Sequence, residues 1–143
     1  MSPSATKAIR QRIAEQARHR CGYRLTLEVV SGVPLTLEHI ISKARSGQDV
    51  EVNLWLSCRL CNEAKGAAIE AVDPQTGEIT PLFNPRTQIW TEHFAWSTDG
   101  THITGQTPMG RATVVALSLN SELRVRSRAI WVEAGWHPPG TED

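Results

Sequence analysis

Between Leu37 and Gly66 the chain reads LEHIISKARSGQDVEVNLWLSCRLCNEAKG. Glu38 and His39 are adjacent, Asn53 follows, and Asn62 lies inside a Cys-x-x-Cys-Asn-x-x-Lys-Gly run. These residue types, in this order, suit one chemistry: a divalent cation and a general base held on either side of a phosphodiester. Hydrolysis of that bond needs an activated water, neutralised charge at the phosphate and help for the leaving oxygen. A neutral imidazole supplies the base, because its pKa sits near working pH. A hard cation supplies much of the rest and takes oxygen ligands. Glu38 offers a carboxylate and Asn62 an amide oxygen. Two protein ligands suffice for Mg²⁺ or Mn²⁺, which keeps several waters and takes phosphate oxygens as well. Lys65, on the same helix face as Asn62, and Lys43 and Arg45, in the loop after His39, are placed to contact phosphate in a nucleic acid.

Adjacent residues on a regular strand point to opposite faces. Glu38 and His39 can flank one phosphate only if the strand ends there, and the polar loop from Ser42 to Gln48 makes such an end plausible. Asn53 then has a supporting role: its side chain can bond the loop backbone and fix the carbonyl that orients His39.

The elements that must carry these residues follow from pattern. A helix runs to about Arg20, with Ile9, Ile13, Ala14 and Ala17 on one face. Leu25–Val30 and Pro34–Ile40 read as two strands of a β-hairpin joined at Ser31-Gly32. Asn53–Ser57 reads as too short for anything beyond a turn or a single helical turn. A helix is expected from about Leu60 to Asp73-Pro74. In the tail, DPQTG and NPRT are turn signals, and Trp90, Phe94 and Trp96 form an aromatic cluster. HITGQT reads as a strand, ATVVALSLN as strand or helix, and SELRVRSRAIWVEAG as a helix stopped by Gly135. His93, His102 and His137 have no partner pattern. The fold class is α+β, organised as a single domain over residues 1–143.

Composition sets the outer bounds. At 143 residues, 40% hydrophobic and 21% charged, the chain is an ordinary globular domain. No run approaches the roughly 18 apolar residues of a membrane span, and the first twenty or so residues lack the apolar core of a secretory signal. Three cysteines do not close a disulfide framework; cytosolic thiols or metal ligands fit better, and a cytoplasmic location is expected. The formal net charge is +0, so strong nonspecific nucleic-acid binding is not expected. Basic residues nevertheless cluster at Lys7–Arg24 and at Arg124, Arg126 and Arg128, and local basic faces bind phosphate even when the sum is zero.

The central window resembles the HNH endonucleases. In that family a β-hairpin, a loop and a helix surround one metal. The acid-His pair ends a strand, an Asn follows, and an Asn or His on the helix completes the site. The resemblance implies a ββα-metal core over about residues 20–72, an N-terminal helix before it and an aromatic-rich α/β extension over about 73–139. It implies metal-dependent hydrolysis of DNA, double-stranded in the first instance. His39 would be the general base, Asn53 would order the loop, and Glu38 and Asn62 would hold Mg²⁺ or Mn²⁺. The alternative is an HNH-fold nucleic-acid-binding protein with weak or no catalysis.

The sequence departs from the family at one place. Many HNH proteins carry two Cys-x-x-Cys pairs around a structural Zn²⁺. Here the second pair is Cys58 and Cys61, but the first reads Cys21-Gly22-Tyr23-Arg24. Structural zinc is four-coordinate, and arginine does not deprotonate. Three readings stay open. His19 supplies the fourth bond, water does, or the knuckle is metal-free with Arg24 paired to a carboxylate where the zinc would stand.

Overall fold

The computed structural model describes residues 3–140. Helix α1 (Pro3–Gln16) buries Ile13 completely and half-buries Ile9 and Ala14 on the same face. It is closed by Arg18 and His19, both at positive φ, with the His19 amide donating to the Ala14 carbonyl at 2.9 Å. Contacts divide the chain into two compact units, Met1–Ile69 with Asn84–Thr87, and Glu70–Phe83 with Gln88–Asp143.

In the first unit, strand β1 (Thr36–His39) pairs antiparallel with β2 (Leu54–Ser57), placing Glu38 opposite Trp55 and His39 opposite Leu54. All four β2 residues are buried, and α1 packs on β2. Leu54 and Leu56, each 1% exposed, bring about 1.5–3 kcal/mol apiece from burial.

This pairing corrects the expected hairpin. Leu25–Val30 is not a strand. Glu28–Ser31 forms a helical turn, α2, and Gly32 closes it at φ 71, its amide donating to the Glu28 carbonyl at 2.9 Å. A glycine after an apolar run serves equally as a hairpin turn or as a left-handed helix cap, so the local signal is ambiguous. The buried run Leu54-Trp55-Leu56 resolves it by taking the place of β1's partner. The segment read as a turn is therefore a fully buried strand.

Helix α3 (Arg59–Lys65) follows β2 almost at once. It is shorter than expected, because Gly66 at φ 52 ends it. The alanine-rich residues beyond feed strand β3 (Glu70–Val72) of the second unit, which pairs with β4 (Ile79–Pro81) across the Asp73–Gly77 turn. Turn chemistry and cross-strand pairing override helix propensity there.

The second unit continues with α4 (Trp90–His93), a hairpin of β5 (Phe94–Trp96) and β6 (Ile103–Gly105), α5 (Pro108–Ala116) and α6 (Glu122–Ala134). ATVVALSLN thus resolves as helix through Ala116 and a turn beyond it. Thr107 caps it by accepting from the Gly110 amide at 3.0 Å, and Pro108 opens it. Gly135 stops α6 at φ 80. Phe83, Phe94, Ile103, Ala112, Leu117 and Leu119 form the core, with Trp90 5.2 Å from Phe94 and 5.3 Å from Trp96 between ring centroids. Arg128 is fully buried, its Nη1 and Nη2 donating to the carbonyls of Thr101 at 2.9 Å and Leu119 at 2.7 Å, with its guanidinium 5.3 Å from the Trp96 ring centroid. His137 is buried with Nε2 3.0 Å from the Gly100 carbonyl. The fold class is α+β. No helix among the described residues is long and apolar enough to cross a membrane.

Buried Asp73 receives both Nε and Nη2 of Arg111 at 2.9 Å. This pairing, with the Gln75 amide and the Thr76 hydroxyl, holds its carboxyl well below the usual carboxylate range. A depressed folded pKa means stability that is present above the ordinary value of 3.8 and is lost as pH falls through the lowered one. Asp73→Asn is expected to lower the melting temperature at neutral pH and to flatten the acid limb of stability below pH 3.8. An acid limb identical to that of the parent chain refutes the assignment.

Candidate active site

β1 ends at His39, as flanking a phosphate requires. The His39 side chain is 25% exposed, and its Nε2 lies 3.1 Å from Oδ1 of Asp49, which is 42% exposed. Asp49 sits in the long loop between β1 and β2. Nothing in its local sequence marks it, since a loop aspartate is ordinary; its position facing His39 appears only once the loop is closed.

Asn53 closes that loop. It accepts from the Ile41 amide and donates to the Ile41 and Gln48 carbonyls, each at 2.9 Å. The Ile40 amide also donates to the Asn53 carbonyl at 2.8 Å. The Gln48 carbonyl belongs to the peptide that leads into Asp49, the carboxylate facing His39. Gly47 permits the tight path: a Cβ there would lie 1.7 Å from the Ile41 carbonyl oxygen. Asn53→Ala is expected to cost about 1–3 kcal/mol, because it strips partners from loop amide and carbonyl groups. Amide hydrogen exchange at Ile41 should accelerate in step; unchanged exchange there excludes this clamp.

Glu38 points the other way from His39. It is 1% exposed. Its Oε1 accepts from the Tyr23 hydroxyl at 2.8 Å and lies 3.5 Å from Lys65 Nζ. Its Oε2 is buried with no hydrogen-bond partner among the described residues. Burial pushes the Glu38 carboxyl up, against the opposing pull of Lys65 and Tyr23. Burial likewise raises the Tyr23 hydroxyl, with the Glu38 charge adding to it.

The expected surface role of Lys65 needs correction. Lys65 is 5% exposed. Its ammonium donates to the Ile40 carbonyl at 2.9 Å and the His39 carbonyl at 3.3 Å, and pairs with Glu38. A buried ammonium so engaged is committed to the end of β1 and is not free for phosphate. Sequence missed this because a lysine on a short helix near a glycine reads as solvated. Asn62, half-buried, lies one helical turn before Lys65, and therefore on the face of α3 that meets β1. Lys43 and Arg45 form a 3-10 turn in the exposed loop, and Arg45 Nε donates to the Ala67 carbonyl. Among the described residues no hydrogen bond joins His39 to Glu38 or Asn62.

The cysteines do converge. The Sγ atoms of Cys21, Cys58 and Cys61 all lie within 4.8 Å of one another. His19 does not join them, so it is not the fourth ligand. Cys58 Sγ caps α3 by accepting from the Cys61 amide at 3.5 Å, and Cys21 Sγ accepts from the Arg24 amide at 3.5 Å. Hydrogen bonds from Cys21 and then Cys61 pull the Cys58 thiol far down, with the Arg24 charge adding to the effect, while burial pushes Cys21 and Cys61 up.

No curated protein and no solved structure matches the chain. Residues 19–68 match the family model of the HNH endonucleases. That segment, which holds Glu38, His39, Asn53, Asn62 and all three cysteines, is similar to the HNH endonucleases.

Proposed function

We propose that the HNH segment is a metal-dependent endonuclease acting on double-stranded DNA, with a ββα-metal core formed by β1, β2 and α3. The observation that carries this reading is His39, partly exposed at the end of β1 with one ring nitrogen already engaged by Asp49. With Nε2–H donated to that carboxylate, Nδ1 is left to take a proton from the attacking water. Asn53 keeps the loop, and with it Asp49, in place. The donor set suits a hard cation: Glu38 keeps an Oε2 with no hydrogen-bond partner among the described residues, and the Asn62 amide sits on the neighbouring helix face. Mg²⁺ or Mn²⁺ held there would neutralise phosphate charge and stabilise the leaving oxygen. Lys43 and Arg45 would meet the flanking phosphates, a sequence-independent contact that positions the duplex.

The test is nicking of supercoiled plasmid by the purified chain across the common divalent ions. Relaxed circles are expected with Mg²⁺ or Mn²⁺ and none with EDTA. Intact plasmid under every ion ends the proposal.

A second reading, an HNH-fold nucleic-acid binder without cleavage, is favoured by the burial of Glu38 against Lys65. It requires salt-sensitive DNA binding that survives His39→Ala with no cleavage in any metal.

A further inference from the structure

The family resemblance implies a structural zinc beside the active site, and the residues present do not fit one. Four ligands are needed. The cluster holds three, and no fourth cysteine, histidine or carboxylate among the described residues brings a ligand atom into it. The residue at the vacated sequence position, Arg24, is 1% exposed. It lies in the same knuckle: its amide bonds Cys21 Sγ, and its charge acts on Cys58. Arginine keeps its proton in any protein environment. A permanent cation is therefore buried in the same knuckle as the sulfurs.

We infer that Arg24 has replaced the zinc, so that the HNH unit folds as a metal-free knuckle in which a guanidinium supplies the counter-charge for a three-sulfur cluster. The missing fourth ligand and the permanent charge of the buried guanidinium support this. Zn²⁺ completed by water would still have to sit beside a fixed like charge in a low-dielectric interior. The two amide-to-sulfur hydrogen bonds hold both halves of the knuckle, and Gly22 lets it lie against Trp55 and Pro85, where a Cβ would come within 2.5 Å of the indole and 2.6 Å of the proline ring. The inference rests on the family match and is independent of the proposed catalytic roles, since none of its readouts is cleavage.

The experiment uses the full chain, purified in reducing buffer from zinc-supplemented cells. Elemental analysis is expected to find only trace zinc, the melting temperature to be unmoved by EDTA, and added Co²⁺ to give no thiolate charge-transfer band. Arg24→Cys should then take up one zinc per chain, show the Co²⁺ band, and lose melting temperature on chelation. Stoichiometric zinc in the parent chain, with a lower melting temperature once it is removed, overturns the inference whether or not the Arg24→Cys chain folds. So does an Arg24→Cys chain that folds yet binds neither metal.

Discussion

His39→Ala is expected to lower plasmid nicking by about 10²–10⁴-fold, the usual worth of a positioned general base, while leaving the melting temperature within a degree or so of the parent. Both halves follow from the geometry. The imidazole is partly exposed, and its side-chain partner among the described residues is the more exposed Asp49, so its removal strips little from the fold; exposed pairs of this kind contribute little to stability. What is lost is the nitrogen proposed to accept the water proton. Asp49 adds a graded control. Asp49→Ala should reduce the rate by about 10–100-fold, the range seen when a group that orients a functional imidazole is removed. Asp49→Asn keeps an oxygen acceptor for Nε2–H and should recover part of that loss. Equal nicking by the parent and His39→Ala chains refutes the assignment of the base. Equal nicking by the parent and Asp49→Ala refutes only the orientation.

Glu38 is expected to behave in the opposite way, with a large effect on folding. Glu38→Ala leaves the Lys65 ammonium buried without its carboxylate and the Tyr23 hydroxyl without its acceptor. Breaking one side of a buried ion pair typically costs about 3–5 kcal/mol, enough to unfold a unit of this size in mild urea. Glu38→Gln retains an oxygen for Tyr23 and Lys65 and should keep most of the fold. It loses the negative charge proposed to hold the divalent ion, so its nicking should need far more Mn²⁺ or cease. Urea melts of the two variants, read beside nicking across a Mn²⁺ titration, separate the structural role from the metal-holding one. If Glu38→Ala melts like the parent, the buried pair is not what organises the end of β1.

The candidate residues were legible because their chemistry is written in their types and order. Glu38-His39, Asn53 and Asn62 can be read off one window, and so can the missing cysteine at Arg24. Elements with strong local codes were legible too: the apolar face of α1, the DPQTG turn, the Gly135 stop and the Trp90–Phe94–Trp96 cluster. The hairpin was misread because Ser31-Gly32 satisfies two local rules at once, and the choice depends on Leu54–Leu56 from across the loop. The reach of α3 was overestimated because propensity beyond Gly66 lost to strand pairing.

Residue identity alone determined the inventory of this protein: an imidazole, hard oxygen donors, three thiols and an arginine in the fourth sulfur's place. Tertiary structure alone decided which way each side chain faces. Glu38 turns inward to Lys65 while its neighbour turns outward to Asp49, and Arg24 is enclosed with the sulfurs. The physical reason is that orientation and burial depend on which distant segments pack together. In a low-dielectric interior every charge must then be matched by a partner brought from elsewhere in the chain.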